Sequence, residues 1–134
     1  MTDAILTRHP DVGAIRVSGN SMLPALQPGD IVLYDKRRPV VEPGAVVVFH
    51  DAIHRAVWVE PRVAVWELGD ANAQLPVRRA WSEIDGVAFV FLRAGRWESL
   101  RPLSGRALAK LTARAAARYQ WSRLRGLLTA SLGQ

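Results

Sequence analysis

Between Ala14 and Leu92 the chain is a series of short apolar runs, each closed by glycine, proline or a charged turn. This rhythm is the strongest constraint on the fold. A helix needs ten or more residues of 3.6-residue periodicity, whereas short valine-rich runs bounded by Gly and Pro read as strands. The expected strands are Ala14 to Val17, Ile31 to Tyr34, Ala45 to His50, Ile53 to Val59, Arg62 to Leu68 and Val87 to Leu92. Turns are expected at Asp35-Lys36-Arg37-Arg38-Pro39, at Pro43-Gly44, at Glu60-Pro61 and at Gly69-Asp70-Ala71-Asn72. Asp51-Ala52 breaks the run between the third and fourth strands, and an irregular stretch ends at Asp85-Gly86. Strands at this spacing argue for a β-rich sandwich or barrel. No internal repeat is visible. Met1 to Gly13 shows no clear period and is expected to fray.

From Ser104 the pattern changes. Ala107, Leu108, Leu111 and Ala115 fall at helical spacing, as do Trp121, Leu124, Leu128 and Leu132. Ser104 is a candidate N-cap, and Gly126 is expected to divide the segment into two helices. The chain therefore reads as a β domain over 1–103 with a basic amphipathic tail over 104–134, packed on the domain or appended to it.

The charge is uneven. Eighteen Lys and Arg against twelve Asp and Glu give +6. Residues 100–134 carry Arg101, Arg106, Lys110, Arg114, Arg118, Arg123 and Arg125 and no acid, which is +7 for the tail and −1 for the rest. A basic amphipathic helix suits an anionic membrane surface or an acidic protein. The plainer alternative is a helix packed on the sheet with its arginines in water. Nucleic acid is disfavoured, because no aromatic residues interleave with the basic stripe.

At 134 residues the chain is one domain long enough to bury a core. It has no cysteine, so no disulfide and no thiolate metal site. No window approaches the roughly 20 apolar residues of a membrane span. Asp3, Arg8, His9 and Asp11 rule out a signal peptide at the start. The expected location is cytoplasmic, with a peripheral position at a membrane left to the tail.

One segment carries chemistry. Val17-Ser18-Gly19-Asn20-Ser21-Met22-Leu23-Pro24, closed by Gly29-Asp30, lies between the first two strands. Gly19 permits a tight turn before Ser21, and Pro24 suits the first turn of a short helix. Ser21 would then stand where backbone N–H groups point outward and can hold an oxyanion. The residues alone leave two readings open, a loop serine capping a helical turn or a nucleophile.

The order of these residues resembles the nucleophile segment of the signal peptidase I and LexA-type peptidase superfamily. Val17 to Met22 is similar to the LexA-type version, and Ser21-Met22-Leu23-Pro24 with Gly29-Asp30 to the signal peptidase version. The resemblance covers roughly residues 15–92. It implies a mainly β, LexA/signal-peptidase-like catalytic domain with a C-terminal helical tail, and Ser21 as nucleophile. Most members use a lysine as base in a Lys-Arg pair on a later strand. This chain has only Lys36 and Lys110, neither of them at that place, where His54-Arg55 stands instead. His-Arg there resembles the archaeal and endoplasmic-reticulum type of signal peptidase, so the resemblance implies a His-type member with His54 as general base. An imidazole is suited to that task near neutral pH.

His50, four residues earlier, is the rival base. His50 and His54 as a metal pair are discounted, since no third ligand is evident. His9 plays no part in this reading, and no metal or cofactor is expected. Gly69-Asp70-Ala71-Asn72 resembles the turn after the histidine strand in His-type relatives, which makes Asp70 the candidate third member. Those relatives carry a further aspartate, but here the corresponding stretch is Gln74-Leu75-Pro76-Val77. Asp30 is read as tying down the nucleophile loop. The backbone N–H of Ser21 is the expected oxyanion donor, with Ser18 or the Asn20 amide as a second.

An extended peptide would lie beside Ser21, against Gly19, Asn20, Met22 and Pro24. The expected function is a serine endopeptidase that cleaves a peptide or precursor protein by a Ser–His mechanism through an acyl-enzyme, with leader-peptide processing as one role. The alternative is a catalytically weak or inactive peptide-binding module of the same fold. A self-cleaving LexA-type regulator is disfavoured, because no DNA-binding segment precedes the motif.

Overall fold

The computed structural model describes residues 8–37 and 40–132. The fraying expected of Met1 to Gly13 therefore falls, for residues 1–7, outside the described residues, as do Arg38 and Pro39 of the charged turn.

Among the described residues, eight strands form one antiparallel sheet: β1 (Val12–Arg16), β2 (Ile31–Asp35), β3 (Val46–Phe49), β4 (Ile53–Glu60), β5 (Ala64–Leu68), β6 (Val77–Ala80), β7 (Ile84–Arg93) and β8 (Arg96–Ser99). Their order is β1-β2-β7-β3-β4-β5-β6, with β8 also on β7. The first half of β7 pairs with β3, and its second half pairs with β8. β2 runs along the opposite side of β7. Among the described residues, a β-rich domain followed by a single long helix, α1 (Gly105–Leu132), is thus the observed architecture.

β3 explains the uninterrupted valine run. All four of its residues are buried. Val46 and Val48 point into one cluster with Val17, Met22, Leu26, Val32, Ala88 and Phe91. Val47 and Phe49 point the other way, into a second cluster with Val41, Ala56, Val65 and Ile84. Side chains alternate along a strand, so a strand covered on both faces has no polar positions.

Three features depart from the sequence pattern. Asp85-Gly86 was expected to end the irregular stretch and instead lies inside β7, beside the Asp35 end of β2. A Cβ at Gly86 would collide with the Asp35 backbone, so the glycine marks a close approach rather than a turn. β6 and β8 are edge strands with little buried surface, held by backbone pairing. Gly126 does not divide the helix, which runs unbroken for 28 residues. Ser104 caps it, its Oγ accepting the Ala107 N–H at 3.2 Å. Leu108 and Ala115 are the buried contacts of α1.

Candidate functional site

The Ser21 segment is a closed loop. Val17 N–H donates to Asp30 O and Gly29 N–H donates to Val17 O, both at 2.8 Å, so the two ends are stitched where β1 stops and β2 begins. Inside it, Leu23 N–H donates to Asn20 O and Leu26 N–H to Met22 O. The segment makes turns and no helix, and the Leu23–Pro24 peptide is cis. The expected helix start at Pro24 is therefore absent, and with it the supply of outward N–H groups from a helix terminus.

Two anchors fix the loop. Met22 and Leu26 are its apolar roots, buried in the first core cluster. Met22, one of the residues expected against substrate, is 2% exposed. The Asp30 carboxylate accepts Gln27 N–H at 2.9 Å and a two-pronged pair from Arg93 on β7, at 2.9 and 2.6 Å. The Arg93 guanidinium, bonded to the Asp30 carboxylate, holds its pKa below the ordinary value despite its burial.

Ser21 itself is partly exposed. Its carbonyl accepts Ala71 N–H at 2.8 Å, which docks the Gly69–Asn72 turn directly on the nucleophile loop. Gly69 is required there, because a Cβ would come within 2.8 Å of Ser21 O and 2.7 Å of Asn72 Nδ2.

A cavity of about 430 Å³ opens beside Ser21. Ser18, Gly19, Met22, His50 and His54 share its lining with Ser21. Asn20 is exposed and not part of it. A second cavity, about 600 Å³, lies on the Pro24 side of the loop, bounded by Leu23, Arg55, Asp70 and, from α1, Leu111 and Arg114. Pro24 belongs to this one.

The charged residues fall into separate pairs. His54, at the start of β4 opposite Val47, has Nδ1 on the carboxylate of Glu67 from β5. Asp70 does not reach His54. It is gripped by Arg55, Nε at 3.0 Å and Nη2 at 2.6 Å, in a pair whose side chains are 3% and 6% exposed. Arg55 Nη1 also donates to Gly44 O at 3.0 Å. Strand parity is the physical reason. Ala56 sits opposite Glu67 and Arg55 opposite Leu68. Glu67 thus shares a face with Ala56 and His54, whereas Asp70, two beyond Leu68, follows Arg55.

His50 lies in the turn between β3 and β4, not on one strand with His54, and its Nε2 is 3.0 Å from Asp85. His50 and His54 thus each have their own carboxylate. Among the described residues, no group of three His, Cys, Asp or Glu is arranged to hold a metal.

Glu67 is the site residue that the sequence pattern missed. It is a lone acid in the buried run Ala64–Leu68, and only 2% of its side chain is exposed. Its second neighbour, Arg79 Nε at 3.7 Å, is buried without a hydrogen-bond partner.

Residues 1–59 match the model of the Peptidase S24-like family. The matched portion holds β1, the Ser21 loop, β2, β3 and most of β4, and it supports a serine-peptidase-like fold. No curated protein matches the chain. The match corrects two expectations. That family's catalytic pair is a serine with a lysine, so neither a His-type membership nor a Ser–His acyl-enzyme mechanism is supported. Nor does the chain supply the lysine at this place. Lys36 is exposed in the turn after β2, Lys110 is exposed on α1, and neither lines either cavity.

Proposed function

We propose that this domain takes an extended peptide, or a segment of a precursor protein, at the Ser21 loop and acts on it as a serine endopeptidase with Ser21 as nucleophile. The observation that carries the reading is the placement of Ser21: partly exposed, at the mouth of a cavity, on a loop pinned at both ends and buttressed by the Gly69–Asn72 turn. A nucleophile held on a rigid loop meets a bound carbonyl without first ordering its own backbone. The partial family match adds support for the fold that surrounds it. Gly19 lines the Ser21 cavity and Pro24 the neighbouring one, with exposed Asn20 between them along the loop. Activation of Ser21 does not follow the family's serine–lysine scheme.

That same lack of a cavity lysine favours a second reading, in which the loop holds a peptide without cutting it. One experiment separates the two. The purified chain and Ser21→Ala are incubated with a mixed peptide library, with cleavage read by mass spectrometry and binding by fluorescence anisotropy. Cleavage by the unmodified chain that disappears in Ser21→Ala establishes the endopeptidase. Binding by both without cleavage establishes the holding module. Cleavage retained in Ser21→Ala, or neither binding nor cleavage, overturns the assignment of the site to Ser21.

A further inference from the structure

The helix α1 carries two apolar strips on opposite sides, and the body of the protein uses only one. Leu108, Leu111 and Ala115 face the domain. Five turns are about 18 residues, so the same side of the helix reaches Gly126 and Thr129 farther on, with Ser122 two turns beyond Ala115. The packing strip therefore ends in small and polar residues once the body has been passed. The other strip begins there. Trp121, Leu124 and Leu128 are 58%, 47% and 54% exposed. Trp121 and Leu128 stand eleven and eighteen residues beyond Lys110, about three and five turns, and Leu124 stands eighteen beyond Arg106. The outward face thus reads Arg106 and Lys110, both exposed, followed by a tryptophan and leucines. Arg123 and Arg125 lie on the two edges of the apolar part.

We propose that this outward face of α1 is a docking surface for an anionic lipid bilayer, with the Trp121–Leu128 strip inserted at the interface and the cations among the headgroups. Three observations choose this occupant. Residues 100–134 have seven cations and no acid, so the charge fits a surface of fixed negative sign. A second copy of the helix would bring its six cations against the same six, which opposes self-association through this face. Arginines on both edges of an apolar strip, with tryptophan where the cationic and apolar parts meet, suit a flat interface: the stems lie along the apolar layer and the guanidinium groups reach back to the phosphates. No helix among the described residues is long and apolar enough to cross a membrane, so the helix would lie along the surface. This inference does not depend on what Ser21 does.

The test is flotation of the full chain with vesicles of mixed phosphatidylglycerol and phosphatidylcholine, beside vesicles of phosphatidylcholine alone. Binding is expected to the anionic vesicles only, weakening as salt is raised. Leu124→Asp with Leu128→Asp should abolish it. Arg106→Glu with Lys110→Glu should reduce it tenfold or more, since each cation near the surface contributes about fivefold. These side chains are exposed, so the variants should keep the circular dichroism and melting point of the parent. Should the leucine variant fail that control, Trp121→Phe decides: the blue shift in emission on adding anionic vesicles should shrink. No vesicle binding overturns the proposal. So does equal binding to both vesicle types, or binding untouched by the leucine and tryptophan changes. Capture of an acidic polypeptide in place of vesicles would assign the face to a protein, and a dimer lost on Leu128→Asp would assign it to a second copy. Either result also overturns the lipid reading.

Discussion

Arg55 and Asp70 show why a residue's neighbours matter more than its motif. Both side chains are almost wholly buried and bound to each other in fork geometry, and the arginine also satisfies the Gly44 carbonyl. Removing one partner leaves the other charge uncompensated away from water. Asp70→Ala should therefore destabilise the fold by about 3–5 kcal/mol, seen as a lower urea midpoint. Ser21→Ala should change stability by no more than about 0.5 kcal/mol, because Ser21 is anchored through its backbone carbonyl. A stable Asp70→Ala protein would mean that the pair is not a structural clasp. Lysine at position 55 should not rescue the pair, since an ammonium cannot make the two parallel bonds. The acid opposite His54 could not be read from the sequence. Which carboxylate faces an imidazole depends on parity across β4 and β5, and parity depends on a register that one residue of slip reverses. Turn vocabulary singled out Asp70, whereas strand register supplied Glu67.

At the scale of elements, the Ser21 loop depends on two props, and each has a measurable signature. The first is the Asp30–Arg93 pair. Hydrogen bonding by Arg93 holds the Asp30 pKa below the ordinary 3.8 in the folded chain. A depressed folded pKa contributes stability that is full above the unfolded value and is lost as the pH falls below it, through the folded value. Denaturation midpoints of the parent should therefore fall as the solution is acidified below about pH 4, whereas Asp30→Asn should start lower and show a flatter decline there. Parallel acid profiles would remove this pair from the account. The second prop is the Gly69 turn. Gly69→Ala should push against Ser21 O and Asn72, costing about 1–3 kcal/mol and shifting the amide resonances of Ser21 and Ala71 together. Much at this scale was legible. Valine-rich runs and Gly/Pro turns place β2, β3, β4 and β5 within a residue or two, and Ser104 marks the helix start. The edge strands β6 and β8 were not legible, because Val77–Ala80 and Arg96–Ser99 bury little and are strands by virtue of their neighbours' backbone groups.

For the whole molecule, the sheet's two cores and the helix form a hierarchy of stability. β3 is the shared wall, with Val46 and Val48 in one core and Val47 and Phe49 in the other, so a change there is felt on both sides. The tail is different. Its first half is docked through Leu108 and Ala115, and residues 121–130 are exposed. Leu108→Ala removes a buried side chain and should cost about 2–3 kcal/mol. Leu128→Ala removes an exposed one and should cost no more than about 0.5 kcal/mol. Val47→Ala, at the wall between the cores, should match or exceed the Leu108 change. Hydrogen exchange should show the same order, with protection high in β3 and β7, lower in the first turns of α1 and least beyond Trp121, where packing no longer supports the helix. Strong protection of residues 121–130 in the free chain would mean that this half already has a partner in solution. The outward face would then be occupied before any membrane reached it.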